Sequence, residues 1–262
     1  MHCAMPRSSE TGTTLTVLGS GTMMPSKERH PSAFLLKHGS SKLLLDCGFT
    51  TIARLTGWGM DLHSVSVVCI THFHTDHFAD LTPLIHARAV DDNQTHMAPR
   101  PLLILGPKTL RERLQKLREI FWPEEAYPAI VKEMESADPI TIGPWTIAPF
   151  PVKHVDVFPS VGYRISDGTK TIVYAGDVGG GEQDAAFDEG IKGADLLVVA
   201  AGAAKQPSAH LTVEQALALA DRLDVKRVLL THIEQGRVAE VRTQIAGHSK
   251  AELAEDSMRV TL

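Results

Sequence analysis

The segment His72-Phe73-His74-Thr75-Asp76-His77 places three imidazoles and a carboxylate within six consecutive residues, directly behind an apolar run. Neutral imidazole nitrogen and carboxylate oxygen both suit zinc, at distances of about 2.0–2.2 Å. On a strand, residues two apart point to the same side, so His72 and His74 can reach one ion. Asp76 and His77 then fall in the turn to the next helix and face a neighbouring point. One ion would use these four groups poorly, whereas two ions about 3.5–4 Å apart would use them well. The chemistry of such a pair is hydrolysis. Two cations lower the pKa of a shared water, so that a bridging hydroxide exists near neutral pH, and they clamp an anionic substrate oxygen. Asp76 can orient the hydroxide while acting as a ligand. The remaining ligands are expected at downstream strand ends: His154 behind "WTIAPFPVK", Asp177 closing "TIVYAGD" and His232 closing "RVLLTH". Each follows a buried run, where a rigid sheet holds loop residues in place.

The elements that must position these groups are legible from periodicity. "LTVLGSGT" (15–22) predicts a strand ending in a glycine turn. "SAFLLKHG" (32–39) and "SKLLLDCG" (41–48) predict two strands joined by a tight turn at Gly39-Ser40. Residues 50–59 predict a helix stopped by glycine. "SVSVVCITH" (64–72), "PLLILGP" (101–107), "ADLLVVAAG" (194–202) and "KRVLLTHI" (226–233) are β-branched or aliphatic runs of buried strands. Helices are expected over 79–90, 108–121, 212–223 and 238–246. In the second of these, Leu110, Leu114, Leu117 and Phe121 recur at helical spacing against a basic outer side. Residues 139–154 and 161–177 read as hairpins, the latter turned at Asp167-Gly168. "FWPEEAYPAI" (121–130) suggests a flap, a dimer contact or ordinary packing. Residues 1–13 read as a mobile tail, leaving 14–262 as one domain of sheets with helices outside.

Bulk composition narrows the function classes. A hydrophobic content of 43% is unlike a disordered chain, and a net charge of −5 disfavours a broad electrostatic grip on nucleic acid. Cys3, Cys47 and Cys69 include no CxxC pair, which argues against a thiolate zinc site or a disulfide framework. With no signal-like N-terminus and no membrane-length apolar run, the expected compartment is the cytoplasm.

The set HxHxDH, then His, then Asp in "YAGD", then His in "LLTH" resembles the metallo-β-lactamase superfamily. "LGSGTMMPSKERHPSAFLL", "LLLDCG", "PLLILGP" and "VKHVDVFPSVGYRI" further resemble its ribonuclease Z-like branch. The resemblance runs from about residue 14 to 262. It implies an αββα sandwich of two mixed β-sheets flanked by helices, with the metals at one edge. It implies His72, His74 and His154 on one ion, Asp76, His77 and His232 on the other, and Asp177 bridging. Asp46 would stand behind them, orienting ligands. His210, just ahead of the helix at 212–223, would stabilise or protonate at the scissile phosphate. Two stretches depart from ribonuclease Z. "VVAAGA" (198–203) lacks the glutamate that partners this histidine, and the short segment 155–176 lacks the tRNA-gripping arm. Both argue against tRNA 3′-end processing.

These readings converge on a dinuclear metal-dependent hydrolase of a small or cyclic phosphodiester. The alternatives are hydrolysis of a lactone, thioester or β-lactam, and a non-catalytic metal-binding role. The ions are expected to be zinc, with manganese and iron as alternatives. Lys27, Arg29 and His30 could meet a substrate phosphate. His2, His38, His63, His86, His96 and His248 read as structural or surface residues. A homodimer is compatible with the aromatic stretch at 121–130 and with the branch.

Overall fold

A computed structural model describes residues 12–121, 127–134, 138–206 and 208–262. The first part of the chain runs β1 (Thr13–Gly19), β2 (Ala33–His38), β3 (Ser41–Leu45), α1 (Thr51–Gly57), β4 (Val67–Cys69), α2 (Thr75–Phe78), α3 (Leu81–Thr95), β5 (Leu102–Gly106), α4 (Leu110–Phe121) and β6 (Ala129–Glu133). It continues with β7 (Ile140–Ile142), β8 (Trp145–Val152), β9 (Ser160–Ser166), β10 (Thr171–Gly176), α5 (Ala185–Ile191), β11 (Leu196–Ala200), α6 (Val213–Arg222), β12 (Val228–Thr231), α7 (Val238–Ile245), β13 (Ala251–Leu253) and β14 (Arg259–Thr261).

The strands form two mixed sheets of seven, ordered β14-β1-β2-β3-β4-β5-β6 and β13-β12-β11-β10-β9-β8-β7. Alternation along each strand explains why they stack. Leu15, Val17, Phe34, Leu36, Leu43, Leu45, Val67 and Cys69 point inward to meet Trp145, Ile147, Tyr163, Tyr174 and Val198 of the other sheet. The intervening Leu35, Leu44 and Val68 point outward, into a second apolar layer with Leu55, Leu81, Leu84, Leu110 and Leu114 of the covering helices. The second sheet repeats the scheme, with Val173, Leu197, Val199 and Leu230 packed against Phe187, Ala216, Leu217 and Val241. Strands apolar on both faces need helices on their outer sides, and the result is the expected αββα sandwich. Helix α6 starts at a capping box between Thr212 and Gln215, a feature worth about 1 kcal/mol.

Several expectations need adjustment. Thr13 belongs to β1, where it pairs with His38, rather than to a tail; residues 1–11 lie outside the described residues. β4 stops at Cys69, so His72 and His74 sit beyond the strand and not within its alternation. Of the aromatic stretch, 122–126 lie outside the described residues, while Ala129–Glu133 form an edge strand parallel to β5. Phe121, assigned to the apolar face of its helix, is largely exposed. α5 and β13 were not anticipated.

The antiparallel and parallel pairings have one consequence for the site. β3 and β4 run parallel, as do β10, β11 and β12, and β8 shares the direction of β10 because both oppose β9. The C-terminal ends of these strands deliver Asp46, His72, His154, Asp177 and His232 to one edge of the sandwich. Ligand sites of open α/β sheets gather at such carboxyl ends.

Candidate metal centre

After β4 the chain runs irregularly through 70–74 before α2 begins at Thr75, with His74 at its N-cap position. This short passage turns His72, His74, Asp76 and His77 toward the sheet edge. His72 Nε2 lies 3.0 Å from His74 Nδ1, and His154 Nε2 lies 3.2 Å from the same atom. Asp177 Oδ2 is 3.7 Å from both His72 Nε2 and His154 Nε2. A second group adjoins the first: Asp76 Oδ2 is 3.0 Å from His232 Nε2 and 3.6 Å from His77 Nε2. Asp177 Oδ2 approaches these two imidazoles as well, at 3.4 Å from His77 and 3.5 Å from His232. One carboxylate oxygen is therefore common to both groups. With bonds of about 2.0–2.2 Å, ligand atoms around a tetrahedral ion stand roughly 3.3–3.6 Å apart. The observed separations suit such cages.

The outward-facing ring nitrogens set the tautomers. His154 Nδ1 donates to the Ala209 carbonyl at 2.8 Å, and His77 Nδ1 donates to Asp46 Oδ2 at 2.7 Å. His72 Nδ1 meets Thr71 Oγ1 at 3.0 Å. A proton held on Nδ1 leaves the Nε2 lone pair pointing inward, as a metal ligand requires. Asp46 is the hub of this outer layer. Its Oδ1 accepts from the Thr71 N–H at 2.7 Å. Its Oδ2 accepts from Thr71 Oγ1 at 2.8 Å and from the Tyr174 hydroxyl at 2.5 Å, besides His77. Asp46 and His232 both hold left-handed backbone, at φ 55° and 61°, a conformation non-glycine residues rarely adopt.

The electrostatics fit a cation. Burial keeps the His72 imidazole well below its ordinary value, and His77 beside it adds to the effect. Burial opposes charge on Asp177, yet His232, His77 and His72 hold its carboxyl well below the usual range. Burial would also lower His77, but Asp177 and Asp46 on either side raise it well above normal. The centre thus demands positive charge between two buried carboxylates, which a proton or a divalent cation can supply. Buried Asp177 Oδ1 and His77 Nε2 have no hydrogen-bond partner among the described residues. Buried polar atoms of native proteins are nearly always satisfied, so the unsatisfied His77 Nε2, 3.4 Å from the shared Asp177 oxygen, fits a bound ion.

His210 joins the same place. Its Nδ1 lies 3.6 Å from Asp177 Oδ2, and its ring centroid is 4.7 Å from that of His232. Gln206 stitches its loop by donating to the His210 carbonyl and to Gln215.

A family model described as beta-lactamase superfamily domain matches residues 41–233. The chain belongs to the metallo-β-lactamase superfamily. A ribonuclease Z from Mycobacterium avium (strain 104) is 30% identical, with 94% of this chain and 97% of that protein covered. The metallo-β-lactamase fold protein YhfI from Bacillus subtilis superposes with a TM-score of 0.81 at 25% identity, covering 97% of this chain and 100% of that one. Human tRNase Z, short form, gives a TM-score of 0.77 at 24% identity, covering 94% and 98%. Within the superfamily the chain falls in the ribonuclease Z-like branch, among metal-dependent hydrolases.

All seven ligand candidates of this superfamily member, together with His210, converge on the one edge. Two of the loop cations have other partners. Arg29 is buried, with Nε donating to the Ile233 carbonyl and Nη2 to that of Ser20. His30 is held by Asp256, its Nδ1 2.7 Å from Oδ2. Arg29 thus ties the 19–30 loop to the segment after β12, and His30 ties it to Asp256 near the C-terminus. Sequence reasoning missed Tyr174, whose position inside an apolar strand reads as ordinary core. It also missed the rim, where Arg113 lies 4.5 Å above the Phe73 ring and Phe158 packs against His74.

Proposed function

We propose that this superfamily hydrolase is a phosphodiesterase acting on a small or cyclic phosphodiester. His72, His74 and His154 would hold one divalent cation, Asp76, His77 and His232 a second, and Asp177 both. When bound, the cations would activate water and take up charge on an anionic ester oxygen. Asp76 would also orient the attacking water. Asp46 would keep His77 in the ligating tautomer.

The observation that carries the phosphodiester reading is His210 standing beside the carboxylate common to both cages. Burial lowers its pKa to about 4, so the ring is neutral at pH 7 and can offer an N–H to the departing oxygen. The Mycobacterium avium relative's name, ribonuclease Z, supports phosphodiester chemistry. The small-substrate reading is supported by the short path from His154 to Asp177, which β9, β10 and their tight connection fill. One observation favours another ester class instead. His210 Nδ1 has no hydrogen-bond partner among the described residues, and "VVAAGA" supplies no acid to orient it.

The test is hydrolysis of bis(p-nitrophenyl) phosphate by wild type and His210→Ala at matched metal content. A fall in kcat of about 100-fold or more, with bound metal unchanged, supports the proposal. Full turnover in the variant, or turnover confined to lactones, thioesters or β-lactams, refutes it.

A further inference from the structure

A second convergence of ligand-type side chains lies away from this centre. His63 sits in the 3-10 turn Leu62–Ser64, and Asp91 and Asp92 are neighbours near the end of α3. His63 Nε2 is 3.1 Å from Asp91 Oδ2 and 3.3 Å from Asp92 Oδ1. Helix α3 begins beside the proposed catalytic centre, so at about 1.5 Å per residue this group stands roughly 16 Å along it.

Burial makes the arrangement costly as it stands. The Asp92 side chain is only 2% exposed and that of His63 1%. Neither Asp92 oxygen and neither His63 ring nitrogen has an aligned hydrogen-bond partner among the described residues. Arg88, fully buried nearby, spends its donors elsewhere: Nε on the Tyr127 hydroxyl, Nη1 on the Leu62 and Val65 carbonyls, Nη2 on that of Arg100. Burial, together with Arg88 and Arg100, keeps the His63 pKa low. A neutral imidazole has one N–H and cannot neutralise two carboxylates. A buried carboxylate left without aligned hydrogen-bond donors is costly.

We propose that His63, Asp91 and Asp92 form a further divalent-cation site, an imidazole–dicarboxylate set of the kind that takes zinc or manganese. The 3.1 and 3.3 Å separations match ligand edges around such ions, roughly 2.8–3.1 Å for an octahedron and 3.3–3.6 Å for a tetrahedron. A cation supplies what the buried groups lack: a partner for Asp92 and a use for the Nε2 lone pair. It has a route from solvent. Asp91 is half exposed, and a cavity of about 570 Å³, lined by His63, Asp91, His86 and Asp61, opens beside it. Water from the cavity would complete the coordination. The bound ion would pin the last turns of α3 to the 62–64 turn.

The test is zinc per chain, by elemental analysis after equilibration at micromolar free zinc, for wild type, Asp91→Asn and Asp92→Asn. The expected result is about one ion fewer per chain in each variant, with turnover by the other centre retained. Taking the difference separates this site from the catalytic centre, whatever the occupancy or activity there. Asp91 is half exposed, so its variant keeps the test sound should Asp92→Asn fold poorly. Zinc content equal to wild type in Asp91→Asn would overturn the proposal. So would a loss of zinc that His63→Gln fails to reproduce.

Discussion

Replacing Asp46 by Asn is the most informative single perturbation of the outer layer. The carboxylate is fully buried and accepts four bonds, one on Oδ1 and three on Oδ2. Asparagine has one acceptor oxygen. Turned toward the three donors, it presents its NH2 to the Thr71 N–H and leaves that buried donor unsatisfied, at a cost of ~1–3 kcal/mol. The three remaining bonds lose their charge assistance. Relief of a desolvated charge offsets part of that loss. The expected net destabilisation of the metal-free protein is ~1–3 kcal/mol, or a Tm fall of about 2–12 °C for a chain of this size. Metal affinity should drop more tellingly. Asp46 holds the His77 proton on Nδ1, and weakening such an outer partner typically costs 10–100-fold. The assay is competition with a chromophoric chelator, alongside thermal unfolding without metal. Tyr174→Phe, which removes one donor to the same oxygen, should give a smaller loss. Affinity within about twofold of wild type in Asp46→Asn would refute the role assigned to Asp46.

Gly48→Ala should damage the centre from behind, because a Cβ there would stand 2.1 Å from the Asp76 carbonyl oxygen. The backbone beneath the proposed ligand must move, so calorimetry should show a loss of ~1–3 kcal/mol and chelator competition a weaker centre. Asp177→Asn removes charge from the oxygen common to both cages, and metal content should fall by about one ion per chain, with turnover reduced at least 100-fold. Acid stability should reflect Asp167. Its carboxyl is opposed by burial but held well below the usual range by the Thr13 hydroxyl and the Lys170 and Thr169 N–H groups. That contribution is complete above the unfolded value near ~3.9 and disappears as pH falls through the folded value. The Tm gap between wild type and Asp167→Asn should therefore narrow progressively below pH 4. A gap that persists unchanged at pH 3 would contradict it.

Local pattern carried far in this chain. HxHxDH announced a candidate metal centre because ligand types crowded behind an apolar run have few other uses, and the convergence of His154, Asp177 and His232 was legible because each closes such a run. The near-continuous apolar runs at 43–45 and 172–175 declared buried strands, and the turn residues at 39–40 and 167–168 marked their hairpins. The elements that escaped have weak local signals. β13 is three residues long, and β6 lies behind prolines; both exist because a neighbouring parallel strand offers pairing from outside the local chain.

Residue types and strand-end spacing determined, by themselves, that imidazoles and carboxylates suited to metal would gather at one place. Which atoms meet was decided by tertiary structure. Asp177 Oδ2 is common to both cages only because β8, β10 and β12 end at the same edge as the loop after β4. Arg29 and His30 looked available for phosphate, yet the fold engages Arg29 Nε with the Ile233 carbonyl and His30 Nδ1 with Asp256. His63 looked incidental until α3 brought two carboxylates to it across 28 residues of chain. Coordination and hydrogen bonding depend on distances of a few ångströms between segments far apart in sequence, and only the packed sandwich sets those distances.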